Sequence, residues 1–349
     1  MKLLKTIIIF PAVLSFVLPA MGQTVSKYDL LTERYVDRPV AMHKGQFQFS
    51  SGYEFSIINA KYDRNGKKID LAFDGSASAK QMMPFYIKFG VLDYLQLVIS
   101  TQYANMGIRS QNRKLVGFER VMNVSELNQY RGMNDLFLGI DLTAPVKWHP
   151  VNWLINAGIS LPVFGSEPGK PDHTCTIIDN ETVALDYKYN NTFSTGVPVA
   201  FLGSSLKIRT QYISFTGIFL YSTGIRYGIS YDWNFRLVSN TFEYEKTQYE
   251  FNYGYTLDYY GELAAQAIKW FTVRLALSNF SHHGGWSNLT GKKVSSPEKS
   301  LVNVSLGYEI LVSPALRIEQ HMLLPVAGKN LISQMTFLTG FSINLFAYQ

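Results

Sequence analysis

Hydrophobic and polar residues alternate through residues 302–324. Val302, Val304, Leu306, Tyr308 and Ile310 take turns with Asn303, Ser305, Gly307 and Glu309. A tight break follows at Val312-Ser313-Pro314-Ala315, after which Leu316 and Ile318 alternate with Arg317, Glu319 and His321. Successive strand side chains point to opposite faces, so this pattern predicts a β-ribbon with one apolar and one charged face. Such a ribbon is the smallest unit of a barrel with lipid outside and water inside.

The same alternation predicts strands over residues 45–60, 82–90, 95–103, 136–143 and 153–161. Others are expected over 231–243, 252–263, 268–280, 300–310, 316–324 and 333–346. Asp63-Arg64-Asn65-Gly66-Lys67 is a strong turn signal rather than a calcium loop, because the later acidic ligands are missing. Short breaks alternate with long polar stretches, notably 104–131 and 165–191. Outer-membrane barrels show this asymmetry, with short periplasmic turns and long outside loops. The segment 191–227 holds one strand or three, because both termini of such a barrel lie on one side. Gly196, Pro198, Gly203 and Gly217 weigh against closely spaced short strands, so twelve strands are expected, with fourteen the alternative.

The N-terminus adds a destination. Lys2 and Lys5 precede an apolar run, 7–18, and Ala20-Met21-Gly22 is a small-x-small cleavage site, so residues 1–22 read as a signal peptide. The run is too short, and too interrupted by Pro11 and Pro19, for a transmembrane anchor. Removing it lowers the formal charge from +6 to +4, a surplus too scattered to argue for nucleic acid. Residues 23–349 are then one barrel domain, in which 23–44 form a periplasmic lead-in too short and polar for a plug.

Composition fits. The chain has 22 Tyr and 23 Phe, while mean hydropathy is near zero because only one strand face is apolar. The competing all-β sandwich would not place charges in mid-strand. Nor would it gather girdle aromatics such as Trp148, Trp153, Tyr227, Tyr259, Tyr260 and Trp270 at strand ends. The single cysteine, Cys175, excludes an intrachain disulfide framework and is read as a loop thiol.

Several stretches carry a family resemblance: Arg38-Pro39 followed by Lys44-Gly45; Phe89-Gly90-Val91-Leu92-Asp93-Tyr94-Leu95-Gln96-Leu97; Gly132-Met133-Asn134-Asp135-Leu136; and Ile159-Ser160-Leu161-Pro162-Val163-Phe164-Gly165. Together, mainly in the first half of the chain, they resemble the outer-membrane transporter family named for the meta-pathway of phenol degradation. Asn134 stands where that family has glycine, and Tyr94 where it has arginine. The resemblance implies a channel-like barrel associated with uptake of small, often aromatic or hydrophobic compounds.

With the apolar faces toward lipid, the lumen is expected to receive Glu54, Lys88, Asp141, Arg236, Asp258, Arg274, Glu309, Arg317, Glu319 and His321. Their mixed signs argue for a wall-bracing ion network more than for a charge filter. The segment Asn279–Trp286 supplies the enzyme-like alternative, a lipid hydrolase pairing His282 or His283 with Ser278 or Ser281. A third class is a structural or partner-binding barrel. No catalytic residue, metal site or cofactor is assigned. The expected partners are outer-membrane lipid, a small-molecule solute and the barrel-assembly machinery, not nucleic acid.

Overall fold

The computed structural model describes residues 35, 41–71, 77–115, 122–143, 151–164, 172–179, 182–190, 193–238, 241–289 and 292–346. Twelve antiparallel strands form the wall. They are β1 (Gln46–Tyr62), β2 (Ala77–Leu92), β3 (Leu95–Leu115), β4 (Leu136–Thr143), β5 (Val151–Leu161) and β6 (Val199–Arg209). The remainder are β7 (Ile213–Gly224), β8 (Tyr255–Ile268), β9 (Phe271–His283), β10 (Lys299–Leu311), β11 (Leu316–Lys329) and β12 (Leu331–Phe346). Each pairs with the next, and β1 pairs with β12 from Gln46↔Phe346 to Tyr62↔Leu331, which closes the barrel.

Closure satisfies the backbone of every stave without water, as a lipid-spanning sheet requires. The burial pattern is that of a membrane barrel and the inverse of a sandwich core. Leu202, Leu275, Leu277, Leu306, Phe337 and Leu345 are exposed, whereas Gln96, Glu262, Thr272, Asn344 and Ser205 are buried. Apolar side chains face out and polar ones fill the interior. Trp153, on the outer face, donates from Nε1 to Ser204 Oγ at 2.7 Å, so a polar pair there satisfies itself.

Both wall termini lie at the end closed by the short connections 93–94, 210–212, 269–270 and 312–315, the periplasmic end by barrel convention. At the other end the expected turn after β1 forms as read. Asp63 Oδ1 accepts from the backbone N–H groups of Asn65 and Lys67, both at 2.8 Å, and Gly66 takes φ +80°.

The count of twelve holds, but the staves differ. Segment 191–227 supplies two strands, β6 and β7, whereas the stretch read as a stave at 231–243 leaves the wall. Gly228–Val238 and Thr241–Asn252 form a hairpin that joins Trp286–Leu289 and Lys292–Ser295 in a separate four-stranded outer sheet. Period-two alternation identifies a strand but not the sheet that it joins. Arg236 is therefore not a wall residue; it pairs in register with Glu243 in that sheet.

The long polar stretches also fold as strands. β3 runs on to Leu115 and pairs with Met122–Met133, which lies parallel to Thr182–Asn190. Cys175 belongs to the strand Asp172–Asp179, not to a loop. Trp148 and residues 1–22 lie outside the described residues.

Small residues set the inner wall locally. Gly139 and Gly158 are cross-strand partners, and the Phe137 ring lies over both. A Cβ on Gly158 would sit 2.6 Å from that ring and 2.7 Å from the Leu138 carbonyl oxygen. Gly158→Val is expected to cost about 1–3 kcal/mol through overpacking. The check is the temperature at which the folded, faster-migrating gel band is lost; an unchanged temperature would contradict the assignment.

Candidate functional site

Arg274 organises the lumen. It projects inward from β9, and its Nε donates to Glu262 Oε2 at 2.8 Å, with Nη2 at 2.7 Å from the same oxygen. Its Nη1 donates to Glu319 Oε2 at 2.8 Å and to His321 Nε2 at 2.9 Å. A guanidinium can only donate, so His321 Nε2 accepts from it; the same nitrogen lies 3.3 Å from Glu319 Oε2.

The alternation dictates this gathering. Glu319 and His321 lie two residues apart on β11, and Glu262 sits one strand away from Arg274 on the inward face of β8. Gly307 makes the room, because a Cβ there would lie 2.2 Å from His321 Nδ1. Glu309 and Glu319 are direct cross-strand partners, a repulsive juxtaposition that Arg274 offsets.

Tyr35 enters this cluster from outside the wall. Its hydroxyl donates to Glu262 Oε1 at 2.5 Å, and Tyr260 donates to the other oxygen at 2.6 Å. Lys207, on β6, donates from Nζ to the Tyr35 carbonyl oxygen at 2.7 Å. The ring has Lys207 Nζ 4.8 Å and the Arg274 guanidinium 5.0 Å from its centroid. Cations over an aromatic face are attracted by its quadrupole, more strongly where water is scarce. Tyr35 therefore links β6 to β8 and β9 through the interior. Tyr35, from the stretch read as a lead-in, thus lies inside the barrel.

The resemblance-bearing motifs anchor this segment. Gly45 N donates to the Gly90 carbonyl at 2.7 Å, Lys44 N to Asp93 Oδ1 at 2.9 Å, and Met42 N to Gln96 Oε1 at 2.8 Å. A Cβ on Gly90 would lie 2.0 Å from the His43 carbonyl oxygen, so glycine alone lets the lead-in lie against β2. Gln96 also donates to Asp141, which accepts from Asn156 Nδ2 at 2.6 Å; Asn156 in turn accepts from Ser205 at 3.0 Å. Asp141 is thus a member of the inner wall, as expected. In the other motif, Asp135 accepts from Ser194 Oγ at 2.5 Å and from Thr195 N at 3.0 Å, tying segment 193–197 to the rim of β4.

Nearer the outer ends of the strands the lining turns apolar. Phe137 and Phe201 meet edge-to-face at 5.3 Å, and Leu220 and Ile218 of β7 occupy the inward register beside them. Register also places Glu54, Lys88 and Asp258 inward, but none joins the Arg274 cluster; Glu309 and Arg317 are inward and buried.

Two readings fail here, and three lumen residues are additions to the expected set. Tyr260 is not a girdle residue, because its neighbour Tyr259 faces out and alternation turns Tyr260 in. The lumen residues Tyr35, Lys207 and Glu262 were not anticipated; of these, only Glu262 had a signal, sharing a strand face with Asp258. The Ser/His pair does not assemble. His282 Nε2 bonds the Tyr253 carbonyl at 2.5 Å, while Ser281 donates to the Leu257 carbonyl at 3.2 Å. His283 stacks on Tyr255 at 5.2 Å and lies 3.4 Å from Glu298.

No family model matches the chain, and no curated protein matches it. Solved structures do. An outer membrane channel from Pseudomonas putida F1 aligns over 93% of this chain and 100% of its own, at 10% identity and TM-score 0.57. The fold is that of an outer-membrane barrel. The Ralstonia pickettii toluene transporter TbuX covers 88% of this chain and 90% of its own, at 10% identity and TM-score 0.43. The NanC porin covers 86% and 100%, at 8% identity and TM-score 0.40.

Arg274→Ala leaves Glu262, with a side chain 2% exposed, without its cation. Stripping one partner from a buried pair is expected to cost on the order of 3–5 kcal/mol. Glu262→Gln, which keeps acceptors for Tyr35 and Tyr260, should cost less. Urea unfolding of the barrel in lipid vesicles measures both; equal, small effects would show that the cluster does not brace the wall.

Proposed function

We propose that this chain is an outer-membrane channel for small solutes, hydrophobic and aromatic ones included, of the type named for the meta-pathway of phenol degradation. In this reading residues 1–22 are cleaved, the barrel is assembled into the outer membrane by the assembly machinery, and its working partners are lipid and solute. The observation that carries the proposal is the layered lumen. An apolar layer of Phe137, Phe201 and Leu220 lies toward the outer strand ends, and the Arg274 cluster lies toward the periplasmic ends. Tyr35, seated on Glu262 inside the lumen, belongs to the lead-in and not to the wall, so its withdrawal would break no stave. Transport of this kind needs a lumen and a movable constriction, with no catalytic group. The similar Pseudomonas putida barrel is itself described as an outer membrane channel.

Planar-bilayer conductance tests the reading. Tyr35→Ala is expected to conduct several-fold more than the parent chain. Benzyl alcohol should reduce that conductance by occupying the apolar layer, and Phe201→Ser should weaken the block. Equal conductance of parent and Tyr35→Ala, with no effect of benzyl alcohol, would sink the proposal.

A further inference from the structure

At the outer rim, between the wall and the four-stranded outer sheet, lies a cavity of about 520 Å³. None of the residues lining it carries a carboxylate, an ammonium or a guanidinium group. Hydroxyls of Thr195, Ser230, Ser287 and Ser296 border it, together with His282 and the aromatic rings of Phe251 and Trp286. Because the Tyr253 carbonyl oxygen can only accept, His282 Nε2 carries a proton and donates to it.

The walls are built, not incidental. Asp135 fixes Thr195 from the barrel rim. Asn252 Oδ1 accepts from Gly254 N at 2.7 Å, and Gly254 takes φ +76° with a Cβ that would meet the His283 carbonyl oxygen at 2.1 Å. That turn sets Tyr253 and His282 edge-to-face at 5.5 Å. Gly228 allows Val197 and Phe251 to close the back, each within 2.3 Å of where its Cβ would lie. Lys293, 4.1 Å over the Trp286 ring, and Tyr227 at 5.4 Å hold the indole.

The geometry points to a binding site for a neutral saccharide at the outer mouth. An ionised ligand would lose hydration and meet no carboxylate, ammonium or guanidinium among the lining residues. A purely apolar ligand would cover hydroxyl and imidazole groups without replacing their hydrogen bonds with water. A sugar ring offers what remains, hydroxyls around its edge and C–H faces for Phe251 and Trp286. The neutral sugar is either free in solution or part of the core of an outer-leaflet glycolipid. This site is independent of the channel reading.

Tryptophan fluorescence of the full chain in detergent is titrated with maltose. A saturable change is expected, with affinity reduced about tenfold in Ser230→Ala and in His282→Phe, each checked for the folded gel band. Binding should also leave the Tyr35→Ala conductance intact, because the cavity lies away from the Tyr35 cluster. Competition by rough lipopolysaccharide with a neutral-hexose core, but not by lipid A alone, would assign the sugar to the glycolipid. Competition by neither would assign it to free saccharide. Absence of saturable binding to both maltose and the hexose core overturns the inference. So does unaltered affinity in both variants, or tighter binding of benzoate at this site.

Discussion

The structure depends on the seam where Gln46–Tyr62 meets Leu331–Phe346. A sheet with open edges would leave backbone donors and acceptors without partners in lipid, so the first and last staves must find each other for any stave to be stable there. Once the seam closes, alternation has only one solution. Every second residue is committed to an enclosed interior, where charge has to be matched locally. The ion network around Arg274 follows from closure as much as from any functional demand.

That network explains the otherwise awkward composition of the inner wall. Glu309 and Glu319 face one another across β10 and β11. Like charges there are tolerable because the guanidinium of Arg274 reaches Glu319 and Glu262 together, with planar donors that a lysine could not arrange in the same way. Tyr35 and Tyr260 then fill the remaining acceptor capacity of Glu262 with neutral donors. Removing Tyr35 therefore leaves the charge balance intact, which is why it can act as a separable element.

Much of this was legible in the chain. Period-two alternation located ten of the twelve staves, and parity on β9, β10 and β11 put Arg274, Glu309, Arg317, Glu319 and His321 on the face that the register turns inward. What escaped had physical reasons. Segment 228–252 alternates like a stave, but nothing local distinguishes a strand that joins the wall from one that rises above it. The glycines at 203 and 217 looked like interruptions, yet Gly203 opposes Leu220 across two continuous strands. Tyr35 had no signal, because its partners are brought to it by the fold from β6, β8 and β9. The resemblance-bearing motif around Gly90, Asp93 and Gln96 looked like turn grammar, and its work is to hold the lead-in.

The anchor at Met42–Gly45 has a quantitative side. Between Met42 and Tyr35 the chain can reach no farther than about 25 Å fully extended. Tyr35 is thus a ligand on a short leash, and linked partners of this kind see one another at millimolar effective concentration. Its seating is unimolecular, indifferent to how much of the protein the membrane contains. In the channel proposed above, a solute passing the Arg274 cluster would compete with that fixed local concentration. The length of the leash, more than the affinity of the tyrosine itself, would then decide which solutes are abundant enough to pass.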